Sequence, residues 1–327
     1  MKAVLIARPG DPSVLELSDV DAPRPGPGQL LIDVVAAGVN RADVSQRQGH
    51  YPPPAGAPEW PGLEVSGVVA AVGEGRGADS GSPFAVGDRV CALLAGGGYA
   101  EQVVVDAAHA LPVPDSVDLI DAAGLPEVVA TVWSNVFQLA GLTAGETLLV
   151  HGGSSGIGTM AVQLGRAFGA TVAVTARSAE KLEACRELGA GILIDYTRED
   201  FVERMQAETG GADVVLDVVG GDYLDRNVAA LAMNGRIANI SSLGGRAALD
   251  LGALMQKRGT IRSTSLRARP AEEKAAIIRG VLENVWPLVA DGTVRPVIGA
   301  RFPLAQAAEA HRLMESSAHI GKIVLVV

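Results

Sequence analysis

The chain has 327 residues, 48% of them hydrophobic and 20% charged, with a net charge of −10. That length suits two domains and that balance suits a globular protein with a sizeable core, which excludes a disordered chain. The negative charge weighs against nucleic acid and anionic membrane surfaces as partners, and two distant cysteines, Cys91 and Cys185, make neither a disulfide framework nor a four-cysteine zinc site.

Residues 1–10 carry an apolar run too short for the core of a signal peptide, and they read as a first strand. No apolar stretch reaches membrane-spanning length, so a cytoplasmic protein without membrane contact is expected. Runs rich in Val and Ala at 29–36, 65–72 and 99–105 predict short strands, and the Pro- and Gly-rich stretches 22–28, 51–54 and 73–82 predict turns, a spacing that suits a small β-barrel-like domain. From about residue 123 helices and strands alternate: helix 128–139, strand 147–151, helix 157–168, strand 171–175, helix 179–188, strand 191–195, helix 199–208, strand 213–219, helix 222–232, strand 235–240 and strand 259–265. This order predicts an α/β fold with a doubly wound parallel sheet. Beyond Pro270, a helix over 271–290, the segments 294–298 and 303–315, and an apolar strand at 321–327 return to the first domain, because a terminal strand needs a sheet to join. The expected domains are 1–122 with 267–327, and 123–266.

The most informative local feature is the strand 147–151, the turn Gly152-Gly-Ser-Ser-Gly-Ile-Gly158 and the helix that follows. Gly153, Gly156 and Gly158 let the backbone turn tightly and approach a pyrophosphate, whose charge then faces free N–H groups and the positive end of the helix dipole. The G-x-x-G-x-G spacing departs from the common G-x-G-x-x-G, but strand, turn, helix and a second strand together form the βαβ unit that a dinucleotide requires. At the end of that second strand an NAD enzyme has an acidic residue for the ribose hydroxyls. Here Arg177, Ser178 and Lys181 stand there instead, which predicts NADPH over NADH.

The motifs Gly38-Val-Asn-Arg-Ala-Asp43, Pro61-Gly-Leu-Glu-Val-Ser-Gly67, Val86-Gly-Asp-Arg-Val90 and 151–166 resemble the medium-chain dehydrogenase/reductase superfamily over almost the whole chain. Within it, 38–54, 93–99 and 319–325 resemble the zinc-free quinone oxidoreductase branch. The resemblance implies a Rossmann domain for NADPH and a GroES-like β-barrel catalytic domain. Zinc alcohol dehydrogenases of the superfamily place Cys, His and Cys or an acid where this chain has Asn40, Leu63 and Glu127, and the lobe with four close cysteines is missing. No metal is therefore expected, although Glu64, Glu127 and His50 stay open as an improvised donor set; Glu64 otherwise reads as a structural carboxylate or a partner for an arginine.

Without a Lewis acid, ketones and alcohols are poor substrates, whereas a quinone or polarised C=C bond spreads the incoming charge and needs only modest donors. The resemblance implies Asn40 and Tyr51 as those donors, with Tyr51 equally readable as a packed loop aromatic. It also implies Thr131, Ser155, Ile157, Tyr196, Leu243, Ser265, Leu266 and Lys322 as cofactor or cleft contacts. His151 reads as packing or a backbone tie. A homodimer is expected through the strand at 259–266, whose edge is otherwise open or covered by helix 271–290. The leading function is an NADPH:quinone reductase. An enone or enoyl-thioester reductase is the alternative; a thioester's phosphopantetheine arm would favour a basic entrance, and Arg41, Arg47, Arg267 and Arg269 give that only ambiguous support. A nucleotide-binding structural or redox-sensing protein is the third reading.

Overall fold

In the computed structural model, which describes residues 1–73, 82–241 and 244–327, the valine-rich N-terminal runs form β1 (Lys2–Ile6), β2 (Leu15–Asp19), β3 (Gln29–Val39), β4 (Glu64–Val72), β5 (Arg89–Leu93), β6 (Gln102–Asp106) and β7 (Ala110–Pro112). Most of the turn expected over 73–82 lies outside the described residues. A short helix, α1 (Arg41–Arg47), follows β3 where no element is expected from the sequence pattern. Helices α2 (Leu119–Ala122) and α3 (Pro126–Val132) come next. The helix expected to run to 139 changes hydrogen bonding midway: Trp133–Leu139 is π-helical, with Ala140 N–H bonded to the Asn135 carbonyl. The Asn135 amide and Ser134 hydroxyl both donate to the Thr131 carbonyl, so side chains take up an acceptor that an α-helix would give to a backbone N–H.

The nucleotide unit then alternates β8 (Thr147–His151), α4 (Gly156–Ala167), β9 (Thr171–Ala176), α5 (Ala179–Leu188), β10 (Ile192–Asp195), α6 (Phe201–Thr209), β11 (Ala212–Asp217), α7 (Tyr223–Ala230), β12 (Leu231–Asn239), α8 (Leu251–Lys257) and β13 (Thr260–Ser263). Strands β8 and β9 are buried almost throughout, as a parallel sheet covered on both faces requires. Their order is β10-β9-β8-β11-β12-β13, all parallel, with the chain reversing direction between β8 and β11. That is the doubly wound Rossmann arrangement, and its ligand crevice lies outside the carboxyl ends of the strands.

The chain ends with α9 (Ala271–Asn284), α10 (Trp286–Ala290), β14 (Ile298–Pro303), α11 (Ala307–Ser316) and β15 (Lys322–Val326). The helix expected over 271–290 is thus two, interrupted at Val285, with Pro287 in the first turn of the second, where its missing N–H costs nothing. Of the segment 294–298, only Ile298 is in a strand, the first residue of β14. The last strand does find its sheet: β15 pairs with β14 and β3 in the order β14-β15-β3-β4-β5-β7, with β6 also on β3. Residues Met1–Ala130 with Arg267–Val327 form one unit, and Thr131–Leu266 the other. Each has its own apolar core: Leu30, Ile32, Val65, Val90, Ile323 and Leu325 in the barrel, and Leu149, Ile194, Phe201, Val215 and Ile237 in the nucleotide unit.

Candidate active site

In the barrel unit Asn40 is the N-cap of α1, and the Asp43 carboxylate accepts a hydrogen bond from the Asn40 backbone N–H at 2.8 Å. Gly38 leaves room beneath it, since a Cβ there would stand 2.2 Å from Glu64 Oε1 and 2.6 Å from the Ala123 carbonyl. Glu64 opens β4 and is fully buried. Its carboxylate is held by Lys322 Nζ at 2.6 Å, Asn40 Nδ2 at 3.0 Å and the Glu127 backbone N–H at 2.9 Å. The arginine partner expected for Glu64 is therefore a lysine, delivered by the final strand.

Lys322 has as many acceptors as ammonium hydrogens: Glu64 Oε1 at 2.6 Å, Asn40 Oδ1 at 2.7 Å and the Val39 carbonyl at 3.0 Å. The resemblance puts Lys322 among the cofactor contacts; here its hydrogens are committed inside the barrel unit. An ammonium only donates, so the Asn40 oxygen faces Lys322 and its nitrogen faces Glu64, and the amide can take no other orientation. Burial, reinforced by the Glu64 charge, pushes the Glu127 carboxyl up to about 8, so it holds its proton at neutral pH.

A second network supports this one. Asp43 is buried and accepts from Gly62 N–H at 2.9 Å and Tyr99 Oη at 3.3 Å, while Tyr99 Oη lies 3.1 Å from His311 Nε2. Arg47, itself fully buried, reaches His311 Nδ1 at 3.5 Å, Glu315 at 2.6 Å and the Gly10 carbonyl at 3.0 Å. Burial pushes Asp43 up to about 6 and His311 down to about 3, so His311 is neutral: it accepts from Arg47 at Nδ1 and donates to Tyr99 at Nε2. The sequence reading gives Arg47 a different task and assigns none to Asp43, Tyr99 or His311. The Asn40-x-x-Asp43 spacing is that of a helix-capping pair and marks Asp43; nothing local marks His311.

Tyr51 sits under the Arg267 guanidinium, 5.3 Å from its ring centre, and Arg267 also donates to the Tyr51 carbonyl at 3.2 Å, to Ala95 O at 2.7 Å and to Gln46 Oε1 at 2.8 Å. Arg41 donates to Ser317 Oγ at 2.8 Å. Of the four arginines weighed for a basic entrance, Arg41, Arg47 and Arg267 are thus engaged within the barrel unit. The donors also do not fit a catalytic zinc. Leu63 is apolar, the Asn40 oxygen is taken by a cation, Glu64 is paired with Lys322 and His50 is exposed. Among the described residues no group of three or more His, Cys, Asp or Glu side chains is placed to hold a metal ion.

In the nucleotide unit the glycine turn connects β8 to α4. A Cβ on Gly153 would lie 2.6 Å from that of Val174, and one on Gly158 would lie 2.3 Å from the Gly152 carbonyl. Only glycine lets helix, turn and β9 pack this closely. Ser155 caps the helix by accepting from Gly158 N–H at 3.0 Å, and the Gly156 and Ile157 N–H groups belong to the first turn, where the helix supplies no acceptor. These residues fit a phosphate group.

At the end of β9, Ser178 caps α5 by accepting from the Lys181 backbone N–H, and burial, then the Arg177 charge, lowers the Lys181 pKa. Tyr196 follows β10 directly and is 41% exposed; its neighbour Asp195 pairs with Ala176, so it stands beside the same strand end. Beneath the turn, His151 Nδ1 lies 3.1 Å from Thr175 Oγ1 and Nε2 lies 2.7 Å from Asn227 Oδ1, while Asn227 Nδ2 donates to Asp217. His151 is fully buried and burial lowers its pKa; it packs against Phe201 and Tyr223, as the packing reading expects, and its ring ties two side chains rather than the backbone. Thr131 is buried and gives its carbonyl to Ser134 and Asn135; Leu266 is buried and Ser265 exposed. Leu243 lies outside the described residues.

Known proteins agree with both halves. Residues 26–115 match the family described as alcohol dehydrogenase GroES-like domain, and residues 188–325 the family described as zinc-binding dehydrogenase. A quinone oxidoreductase of Rattus norvegicus is 32% identical over 100% of this chain and 98% of its own length. The quinone oxidoreductase of Thermus thermophilus, solved alone and with NADPH, superposes with a TM-score of 0.84 at 32% identity, covering 100% of both chains. A mycocerosic acid synthase-like polyketide synthase of Mycobacterium tuberculosis is 31% identical over 98% of this chain, which spans 15% of that protein. The chain belongs to the medium-chain dehydrogenase/reductase superfamily, in its quinone oxidoreductase branch.

Proposed function

We propose that the protein is an NADPH-dependent oxidoreductase that transfers hydride to quinones without a metal ion. The observation that carries this reading is the barrel site itself, which presents an oriented amide N–H where metal-dependent relatives need a ligand. Bound NADPH supplies hydride. The chain's residues do the rest: the turn at Gly153, Ser155, Gly156, Ile157 and Gly158 receives the phosphates, Arg177, Ser178 and Lys181 receive the 2′-phosphate with Tyr196 beside them, and Thr131, Ser265 and Leu266 are further cofactor contacts. Asn40 donates to the oxygen that gains charge, with Tyr51 closing the substrate side. Delocalisation over the quinone ring is what lets an amide suffice where a ketone would need a Lewis acid. One hydride and one proton convert the quinone to hydroquinone.

The second reading, an enoyl-thioester reductase, has the polyketide synthase relative in its favour and the engaged arginines against it. An NADPH oxidation assay with a benzoquinone, a simple enone and a crotonyl thioester, all with excess chelator, separates them. Quinone turnover with the highest kcat/KM is expected; a preferred thioester, or loss of activity on chelation, would overturn the reading.

The barrel unit is proposed as the catalytic domain and the sheet unit as the cofactor domain. The same reading includes a homodimer through the exposed edge strand β13, which sedimentation at micromolar concentration tests, a monomer refuting it. A cytoplasmic location fits the two free, buried thiols, and cell fractionation checks it.

A further inference from the structure

The barrel site contains a buried cation that the reaction as described leaves without a task. Lys322 is 4% exposed, and its hydrogens are taken by Glu64, Asn40 and Val39, so none is left over to donate to a reactant. Its shortest contact with a neutral group is to the Asn40 amide oxygen, at 2.7 Å. Drawing electron density toward that oxygen strengthens the partial double bond to nitrogen and makes Nδ2–H more acidic, as hydrogen bonds polarise one another along a chain. One Nδ2 hydrogen goes to Glu64 Oε1 at 3.0 Å; the other has only a long 3.5 Å contact with the Gly38 carbonyl. Asn40 is half-buried, and that second hydrogen is the one its weaker contact leaves for a ligand.

We propose that Lys322 is a positioning and polarising residue for the reaction, its ammonium acting through the Asn40 amide to stabilise the oxyanion formed when hydride reaches the quinone. The positive charge that a metal would bring to such a site is supplied from the far side of a single amide group. Glu64 balances the charge, so the burial of an ammonium is tolerated, and Gly38 makes the space in which the pair forms; because the same carboxylate accepts from Asn40 Nδ2 and opposes the polarisation there, removing both charges together reads the net of the two. The electron count is that of the proposed function: the hydride pair enters the quinone, the charge settles on an oxygen facing Asn40 Nδ2–H, and a proton then completes the hydroquinone. The inference rests on that reading for the identity of the acceptor, but not for the polarisation itself.

The test reads ionisation rather than turnover. 4-Nitrophenol mimics the oxyanion, and its absorbance reports whether the bound form is phenol or phenolate. Wild-type protein is expected to bind phenolate at least tenfold more tightly than phenol. Lys322→Met combined with Glu64→Gln, which removes both charges and leaves no unpaired ion, is expected to lower that ratio by tenfold or more, and Lys322→Arg to keep it within threefold. In an Asn40→Ala background the Lys322→Met/Glu64→Gln change is expected to make no further difference. A ratio unchanged in the charge-free variant, no phenolate preference in the wild type, or an effect that persists without Asn40 would each overturn the proposal. Quinone turnover by the wild type is scored separately, so a failed acceptor assignment with an intact phenolate preference is distinguishable from failure of the polarisation.

Discussion

The barrel and the nucleotide unit bury polar groups in different ways. Under the glycine turn, the buried Asp217 is satisfied by near neighbours and neutral amides: Val219 N–H at 2.8 Å, Gly220 N–H at 2.9 Å, Asn227 Nδ2 at 3.1 Å and Asn239 Nδ2 at 3.2 Å. In the barrel, the buried Glu64 depends on an ammonium from the last strand of the chain. A carboxylate surrounded by N–H groups loses one bond at a time when a neighbour is changed, whereas an ion pair loses its compensation at once. The barrel should therefore be the less forgiving of the two.

The largest effect that sharpens this contrast is expected from Lys322→Met alone, which leaves Glu64 buried without its cation and should lower stability by about 3–5 kcal/mol. The double variant with Glu64→Gln should recover most of that loss, and urea unfolding measures both. Equal losses in the single and double variants would mean that packing around Lys322, rather than its charge, is what matters.

A smaller effect is expected from pH. Glu127 titrates at about 8 in the folded barrel against an ordinary value of 4.5, so in the window between them the native state holds a proton that the unfolded chain has released. Stability from this group is complete below 4.5 and lost as pH rises to about 8. Asp43 acts in the same direction but only up to about 6, and His311, lowered to about 3 from 6.5, acts oppositely below 6.5. Between pH 6.5 and 8, then, Glu127 dominates among these groups, and stability should fall by up to ~1.4 kcal/mol per pH unit. Glu127→Gln should flatten that slope in unfolding curves taken across the window. A slope that survives the substitution would assign it elsewhere.

The nucleotide unit should respond most gently, because Arg177 is exposed, Lys181 is only half-buried, and the 2′-phosphate role proposed for them is shared. Arg177→Ala with Lys181→Ala is expected to cost the preference for NADPH over NADH at least tenfold while leaving the unfolding midpoint nearly unchanged. Fluorescence titration of both cofactors decides it, and a preference retained in the double variant would remove these cations from the 2′-phosphate site.

The same contrast explains what was legible in the sequence. Strand, glycine turn, helix and cationic strand end in the nucleotide unit lie within a few dozen residues, and a backbone cradle is written in local residue types: Gly153 and Gly158 because nothing larger fits, Ser155 because a helix needs a cap. The alternation of helices and strands likewise determined a parallel sheet, since each apolar run is one buried strand. Asn40 was visible as a vacated ligand position. What it is bonded to was not, because Lys322 stands 282 residues away and a lysine in a terminal strand carries no local sign of burial. His311, which joins Arg47 to Tyr99 in the second network, was hidden for the same reason. Local composition determines which hydrogen bonds a segment can close by itself; which distant charge completes a buried pair is decided only when the sheet closes and removes water from both.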